Sequence, residues 1–231
     1  VTINYPETST TFIDRFLASA EAYRVPVGLV FNKADLYSEA ELASMESLIA
    51  LYESIGYRCL RTVATDGQGI EELKEIVKGR VSLLAGNSGV GKSSLVNAVS
   101  PETAARIGEI SKIHNKGMHT TTYSEMFELM PGSYLVDKSH NTYHLLAIGI
   151  DPDAYTARYT RSLFSDEEIA DYFIEIFECS KGCRFGNCTH IHEPGCAVVA
   201  AVERGDIALS RYSSYLSMIE EKKEGKYRAS E

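Results

Sequence analysis

No stretch of this chain strings together the roughly 18 apolar residues that a membrane-spanning helix requires, so no helical membrane span is expected. The opening, Val1-Thr-Ile-Asn-Tyr-Pro6, lacks an initiating Met, a basic region and an apolar signal core. It predicts no secretion and reads as a chain cut within a strand. Positive charge is scarce too: 23 Lys and Arg stand against 32 Asp and Glu, for a net charge of −9. That balance argues against a generally basic nucleic-acid clamp, although a local patch can still contact RNA. Cysteines number only five, and four of them, Cys179, Cys183, Cys188 and Cys196, fall in one stretch, with Cys59 apart. Without a secretory signal, such clustering reads as metal binding before it reads as a disulfide framework. What remains is ordinary for a soluble globular protein: 44% hydrophobic and 24% charged residues. At 231 residues the length suits one large domain, or one domain with a small appendage.

The chain is organised around Gly86-Asn-Ser-Gly-Val-Gly-Lys-Ser93, followed by Ser94. This matches G-x-x-x-x-G-K-[ST], and its setting is right: an apolar run at 81–85 precedes it and a helical pattern through Leu95, Val96 and Val99 follows. Gly86, Gly89 and Gly91 let the backbone curl so that N–H groups face a polyphosphate at a helix N-terminus. Lys92 adds a point charge near the outer phosphates, and Ser93 offers a hydroxyl to Mg²⁺.

Upstream, the apolar run 25–31 predicts a buried strand that ends at Asn32-Lys-Ala-Asp35. N-K-x-D alone matches many loops by chance, or caps the helix that starts at Ser38. Beside a phosphate loop it points to guanine, because an aspartate accepts from both N1–H and the 2-amino group, which adenine does not offer. A buried Asp35 is expected to make that discrimination, with Asn32 and Lys33 bracing the loop and packing along the base. The order is unusual, since in most GTPases the phosphate loop comes first. A permuted chain can build the same site because the termini of compact domains usually lie close together.

Around these motifs, helices and strands alternate, which predicts a doubly wound, mostly parallel sheet. Phe12, Phe16, Ala20 and Tyr23 mark the inward face of a first helix opening at 8–13. Ser38 and Glu41 form a capping box for a helix carrying Leu42, Met45, Ile49 and Tyr52 and ending near Gly56. A strand at 57–63, a loop at 64–69 and a short helix at 70–78 follow. Ser165 with Glu168 is a second capping box, predicting one helix with Ile169, Tyr172, Phe173, Ile176 and Phe177 on a face that docks the C-terminal part against the sheet. Two short helices, at 197–202 and around Tyr212, Tyr215, Leu216 and Ile219, and a charged, frayed tail from Glu220 close the chain.

Between 111 and 122 lies a polar stretch ending Gly117-Met-His-Thr-Thr-Thr122. A threonine there can complete a Mg²⁺ shell and His119 can orient an attacking water; a solvated loop histidine is the plain alternative. The strand Tyr134-Leu-Val-Asp137 ends on an aspartate placed to hold Mg²⁺ through water. Cys183, Cys188, His190 and Cys196 supply three thiolates and one imidazole, a closed set for one structural zinc, with His192 and Cys179 as competing ligands.

N-K-A-D, then G-N-S-G-V-G-K-S-S, then G-M-H-T-T-T, then C-x₄-C-x-H-x₅-C: in this order the motifs closely resemble the ribosome small-subunit-dependent GTPase A family, the bacterial circularly permuted GTPases, over nearly the whole chain. The resemblance implies a circularly permuted GTPase domain over 1–164 and a helical zinc-binding domain over 165–231. The OB-fold that precedes these domains in family members is not visible here. It implies a cytoplasmic enzyme that hydrolyses GTP to GDP, is stimulated by the 30S subunit and assists its late maturation, with 16S rRNA as partner, no membrane and a monomeric state. Guanine recognition carries over to Asn32, Lys33 and Asp35. Phosphate binding carries over to Gly86, Asn87, Ser88, Gly89, Val90, Gly91, Lys92, Ser93 and Ser94, the switch to His119 and 120–122 with Thr121, and zinc to Cys183, Cys188, His190 and Cys196.

One departure stands out. Where the family has D-T-P-G, this chain has Asp137-Lys-Ser-His-Asn, without the glycine whose N–H would sense the γ-phosphate, and 138–164 matches nothing in the family pattern. The competing expectation is therefore a nucleotide-gated RNA- or protein-binding module with weak or no hydrolysis. A small-molecule kinase is the third reading, which N-K-A-D disfavours.

Overall fold

The computed structural model describes residues 1–105, 107, 125–137 and 168–228. Among these, the chain forms two compact units. The described residues of Val1–Thr8 and Gly28–Pro152 make the first, and those of Ser9–Val27 and Asp153–Glu231 the second.

In the first unit, β1 (Gly28–Asn32) pairs in parallel with β2 (Arg58–Thr62) in a register that sets Asn32 beside Thr62. Both strands are shorter than the apolar runs that announced them. Between them runs α2 (Glu39–Ile55), whose predicted capping box forms: the Ser38 hydroxyl accepts from the Glu41 N–H, and the Glu41 carboxylate accepts from the Ser38 N–H. The helix ends at Gly56, left-handed at φ 112°, as a C-cap glycine should be. Its buried face is Met45, Ile49 and Tyr52, with Leu42 half-buried. After β2, α3 (Ile70–Val77) buries Ile70 and Leu73 against Leu60 and Leu95.

The chain then enters β3 (Val81–Leu83) and, after the glycine-rich loop, α4 (Lys92–Val99). β3 pairs in parallel with β5 (Ser133–Asp137), and β5 pairs antiparallel with β4 (Glu125–Met130), in the order β3-β5-β4. Among the described residues the strands lie in two sheets, β1-β2 and β3-β5-β4, with two of three pairings parallel, in keeping with the mostly parallel arrangement expected. β4 went unread in the sequence, although Pro131-Gly132, with Gly132 at φ 72°, is a turn signal that marks a hairpin.

The second unit is helical: α1 (Thr10–Ala22), a 3₁₀ turn at Ala170–Tyr172, α5 (Ile174–Ser180), α6 (Ala197–Arg204) and α7 (Leu209–Arg228). Four sequence expectations change here. The fully buried face of α1 is Ile13, Leu17, Ala18 and Ala20, while Phe12, Phe16 and Tyr23 are only half-buried. The single helix expected from Ser165 is interrupted, because Phe173 adopts extended angles (φ −108°, ψ 99°) and α5 starts only after it. Residues 165–167 lie outside the described residues. Ile169, Phe173 and Ile176 join a core with Ala18, Val198, Ala201, Ile207, Tyr215 and Ile219 within this helical unit. The last helix is long, not short, running from Leu209 to Arg228. α1 therefore belongs with the C-terminal helices and not with the sheet that follows it in sequence. Arg211, 1% exposed, ties it down: its guanidinium donates to Asp14 of α1 at 2.9 Å and to both carboxylate oxygens of Glu175, with Phe173 beneath at 4.6 Å.

Candidate functional site

The loop between β3 and α4 is shaped by glycines at left-handed or extended angles: Gly86 at φ 155°, Gly89 at φ 85° and Gly91 at φ 95°. Gly91 is required on two counts, since its φ disfavours any side chain and a Cβ there would lie 2.3 Å from Asn32 Nδ2. Lys92 folds back over the loop and its ammonium donates to the carbonyls of Gly86 (2.7 Å) and Asn87 (2.8 Å). Val90 is buried beneath, and α4 begins with the Leu95 N–H on the Gly91 carbonyl. The loop thus meets the start of a helix with its cation turned inward, the arrangement that accepts a polyphosphate.

Asn32, 2% exposed, joins this loop to the end of β1. Its Nδ2 donates to the Val90 carbonyl at 3.0 Å, and its Oδ1 accepts from the Thr62 hydroxyl at 3.1 Å. Lys33 follows in the left-handed region (φ 68°, ψ 30°), with its ammonium on the Tyr5 carbonyl at 2.6 Å. Asp35 lies in the 3₁₀ turn Ala34–Leu36 and is exposed, where the sequence led us to expect it buried. A carboxylate on an open turn stays solvated until a ligand reaches it. Two participants escaped the sequence reading. Thr62 closes the parallel register beside Asn32. Tyr37 donates from its hydroxyl to the Asn32 carbonyl at 2.8 Å and accepts from the Ile3 N–H at 3.0 Å, and burial pushes that hydroxyl's pKa up, so it remains a donor. Tyr37 stands just before a capping box, usually a packing position, and nothing in the sequence marks its hydroxyl.

His119 and Thr121 lie outside the described residues, as does 138–164. Asp137 ends β5, one residue beyond the last parallel pairing with β3, Leu83 with Val136.

In the second unit, ligand atoms of Cys183, Cys188, His190 and Cys196 all lie within 4.8 Å of one another. Cys183 Sγ and Cys196 Sγ each stand 3.5 Å from His190 Nδ1 and 3.9 Å from one another. Bonds of about 2.3 Å to sulfur and 2.0 Å to nitrogen around a tetrahedral centre require edges of about 3.5–3.8 Å, so the set fits zinc. Burial, opposed by the His190 backbone N–H and reinforced by the neighbouring Cys196 and Cys183, pushes the Cys188 thiol up to about 12, and burial lowers His190. A divalent cation would relieve that crowding by binding thiolates and a neutral imidazole. The competitors stand aside among the described residues: Cys179 Sγ donates to the Ala197 carbonyl at 3.3 Å, and His192 is exposed.

The cluster's backbone is well braced. His190 is left-handed at φ 57°, and its carbonyl accepts from the Tyr212 hydroxyl at 2.6 Å, while the Thr189 carbonyl accepts from Tyr215 at 2.8 Å. The Glu193 carboxylate accepts from the hydroxyl and N–H of Thr189 and from the N–H groups of Ile191 and His192. Although burial alone would raise it, these bonds hold that carboxyl well below the usual range. Cys196 also caps α6, its sulfur accepting from the Val199 N–H at 3.5 Å.

Comparison with known proteins agrees with this geometry. A family model described as RsgA GTPase matches residues 1–139. The Small ribosomal subunit biogenesis GTPase RsgA of Phocaeicola vulgatus is 54% identical over 233 residues, which cover 99% of this chain and 69% of that protein. The crystal structure of YjeQ from Thermotoga maritima superposes with a TM-score of 0.74 at 38% identity, covering 96% of this chain and 69% of that one. YloQ, described as a circularly permuted GTPase, shares the fold at a TM-score of 0.70 and 24% identity, covering 97% and 66%. With an N-K-x-D loop preceding the glycine-rich loop in sequence and bonded to it in space, and with that match and that identity behind it, the chain belongs to the RsgA GTPase family.

Proposed function

We propose that this chain binds GTP and GDP across the loops at 32–35 and 86–94, hydrolyses GTP to GDP, and assists late maturation of the small ribosomal subunit in the cytoplasm, acting as a monomer on the 30S particle and its 16S rRNA. The observation that carries the nucleotide reading is the Asn32 to Val90 hydrogen bond, which makes one site of two loops in permuted order. The ribosomal reading rests on the name borne by the Phocaeicola vulgatus relative. In this reading Asp35 pairs with the guanine N1–H and 2-amino group, Lys33 lies along the base, and 86–94 cradle the phosphates with Lys92 at the outer ones. Mg²⁺, held by Ser93 with Thr121 and Asp137, would neutralise charge on the phosphates. His119 orients the attacking water. We take 1–164 as the GTPase domain and 165–231 as the zinc-binding domain, to which α1 is added by its packing. The zinc is structural, because four protein ligands leave no open position for a substrate.

The test is GTP turnover with and without 30S subunits. Stimulation by the subunit supports the reading, and turnover indifferent to it removes the ribosomal part. Asp137-Lys-Ser-His-Asn favours a second reading, in which the chain is a nucleotide-gated binding module with slow hydrolysis. Restoring Thr-Pro-Gly at 138–140 separates the two: a large gain in turnover supports the slow module, and no gain supports a competent enzyme that senses the γ-phosphate elsewhere.

A further inference from the structure

We infer that the Tyr37 hydroxyl is a positioning group for guanine recognition, holding the Asn32 carbonyl and through it the turn that carries Asp35; this rests on the guanine reading proposed above.

The turn has little to hold itself. It is a 3₁₀ segment of three residues, Ala34–Leu36, with one good internal bond, Leu36 N–H to the Lys33 carbonyl at 3.0 Å, and a longer one, Tyr37 N–H to Ala34 at 3.4 Å. It begins at Lys33, a left-handed residue that is not glycine (φ 68°) and therefore persists only where its surroundings impose it. Besides the Asn32 N–H on the Val1 carbonyl at 3.0 Å and the Lys33 ammonium on the Tyr5 carbonyl, two side chains fix the Asn32 peptide groups. The Asn32 side chain is bonded to Val90 and Thr62. The Tyr37 hydroxyl takes the other side: because it accepts the Ile3 N–H at 3.0 Å, its own proton is directed to the Asn32 carbonyl at 2.8 Å. That carbonyl belongs to the Asn32–Lys33 peptide plane, whose orientation sets φ at Lys33 and so the direction in which Asp35 leaves the turn. Tyr37 is 8% exposed, so water does not readily replace the hydroxyl. A carboxylate that reads two donors on one base edge depends on its orientation, and it is the second donor, the 2-amino group, that separates guanine from hypoxanthine, which keeps N1–H.

The experiment compares GDP and IDP dissociation constants for the unmodified chain, Tyr37→Phe, and Ile49→Val as a control for mild core destabilisation on α2, each checked by thermal unfolding. Tyr37→Phe is expected to stay folded and to weaken GDP about five- to tenfold while IDP changes little, so the GDP to IDP preference falls by the same factor; Ile49→Val keeps the preference. An unchanged preference in folded Tyr37→Phe overturns the inference. So does failure of Tyr37→Phe to fold, because the hydroxyl would then hold the domain and not the base-reading turn. If the unmodified chain does not prefer GDP to IDP, the guanine reading itself fails, and the inference falls with it.

Discussion

Asn32 Nδ2 and the Val90 carbonyl, 3.0 Å apart and both buried, bind the end of β1 to the middle of the phosphate loop. The geometry of this contact is indifferent to the order in which the chain visits the two loops. It depends on the absence of a side chain at Gly91.

Gly91→Ala is therefore expected to break the site while leaving the fold. The added Cβ meets Asn32 Nδ2 at 2.3 Å at a φ of 95°, so Asn32 must swing away from Val90 or the loop must open. Strain of about 1–3 kcal/mol translates into roughly five- to 150-fold weaker GDP binding. Calorimetric titration of GDP checks this, and an affinity within twofold of the unmodified chain contradicts it.

Asp35→Asn should relax base preference. An amide presents one acceptor and one donor where the carboxylate presents two acceptors, so one guanine donor faces a donor. The expected loss is about 1.5–3 kcal/mol for GTP, with ATP little affected. Competition between GTP and ATP measures it; retained selectivity would remove Asp35 from the base site.

Metal analysis of protein purified without chelator should find one zinc per chain. Stripping it, or Cys183→Ser, should loosen α5, α6 and α7 more than it weakens nucleotide binding, because cluster and phosphate loop belong to separate compact units. Amide exchange mapped along the chain, set beside GDP titration, gives both readouts. Equal losses in the two would contradict the prediction.

Glu193→Gln tests the brace of the metal loop. The Glu193 carboxyl is depressed in the folded chain, so its contribution is complete above the unfolded value of about 4.3 and is lost as pH falls from there towards the lower folded value. The variant should be less stable at neutral pH, and the gap in urea midpoint should narrow below about pH 4. A constant gap between pH 7 and pH 3 would assign the effect to packing.

Much of the site was legible because its pieces are local. Glycines that must turn, a lysine after the last of them, Ser38 three residues before Glu41, and cysteines at close spacing obey rules of a few consecutive residues. In the folded chain they fall on a glycine-shaped loop, a helix cap and a close cluster of three cysteines and a histidine. The partners of those pieces were not legible. Thr62 and Tyr37 reach Asn32 only because β1 and β2 lie in one parallel register and the turn Ala34–Leu36 folds back on the end of β1. α1 offers two plausible inward faces, one through Phe12 and Phe16 and one through Ile13 and Leu17, and apolar periodicity weighs them equally; the core that also takes Ala18 and the buried pair of Arg211 and Asp14 select the second. The helical period likewise runs unbroken through Phe173, where the backbone is extended. Where the glycine turns, the cap and the clustered thiols lie is readable from short stretches of sequence, since it depends on backbone freedom and donor type within a few residues. Which face of each element is buried and which distant group completes each hydrogen bond is set by the fold, because both depend on contacts between residues far apart in the chain.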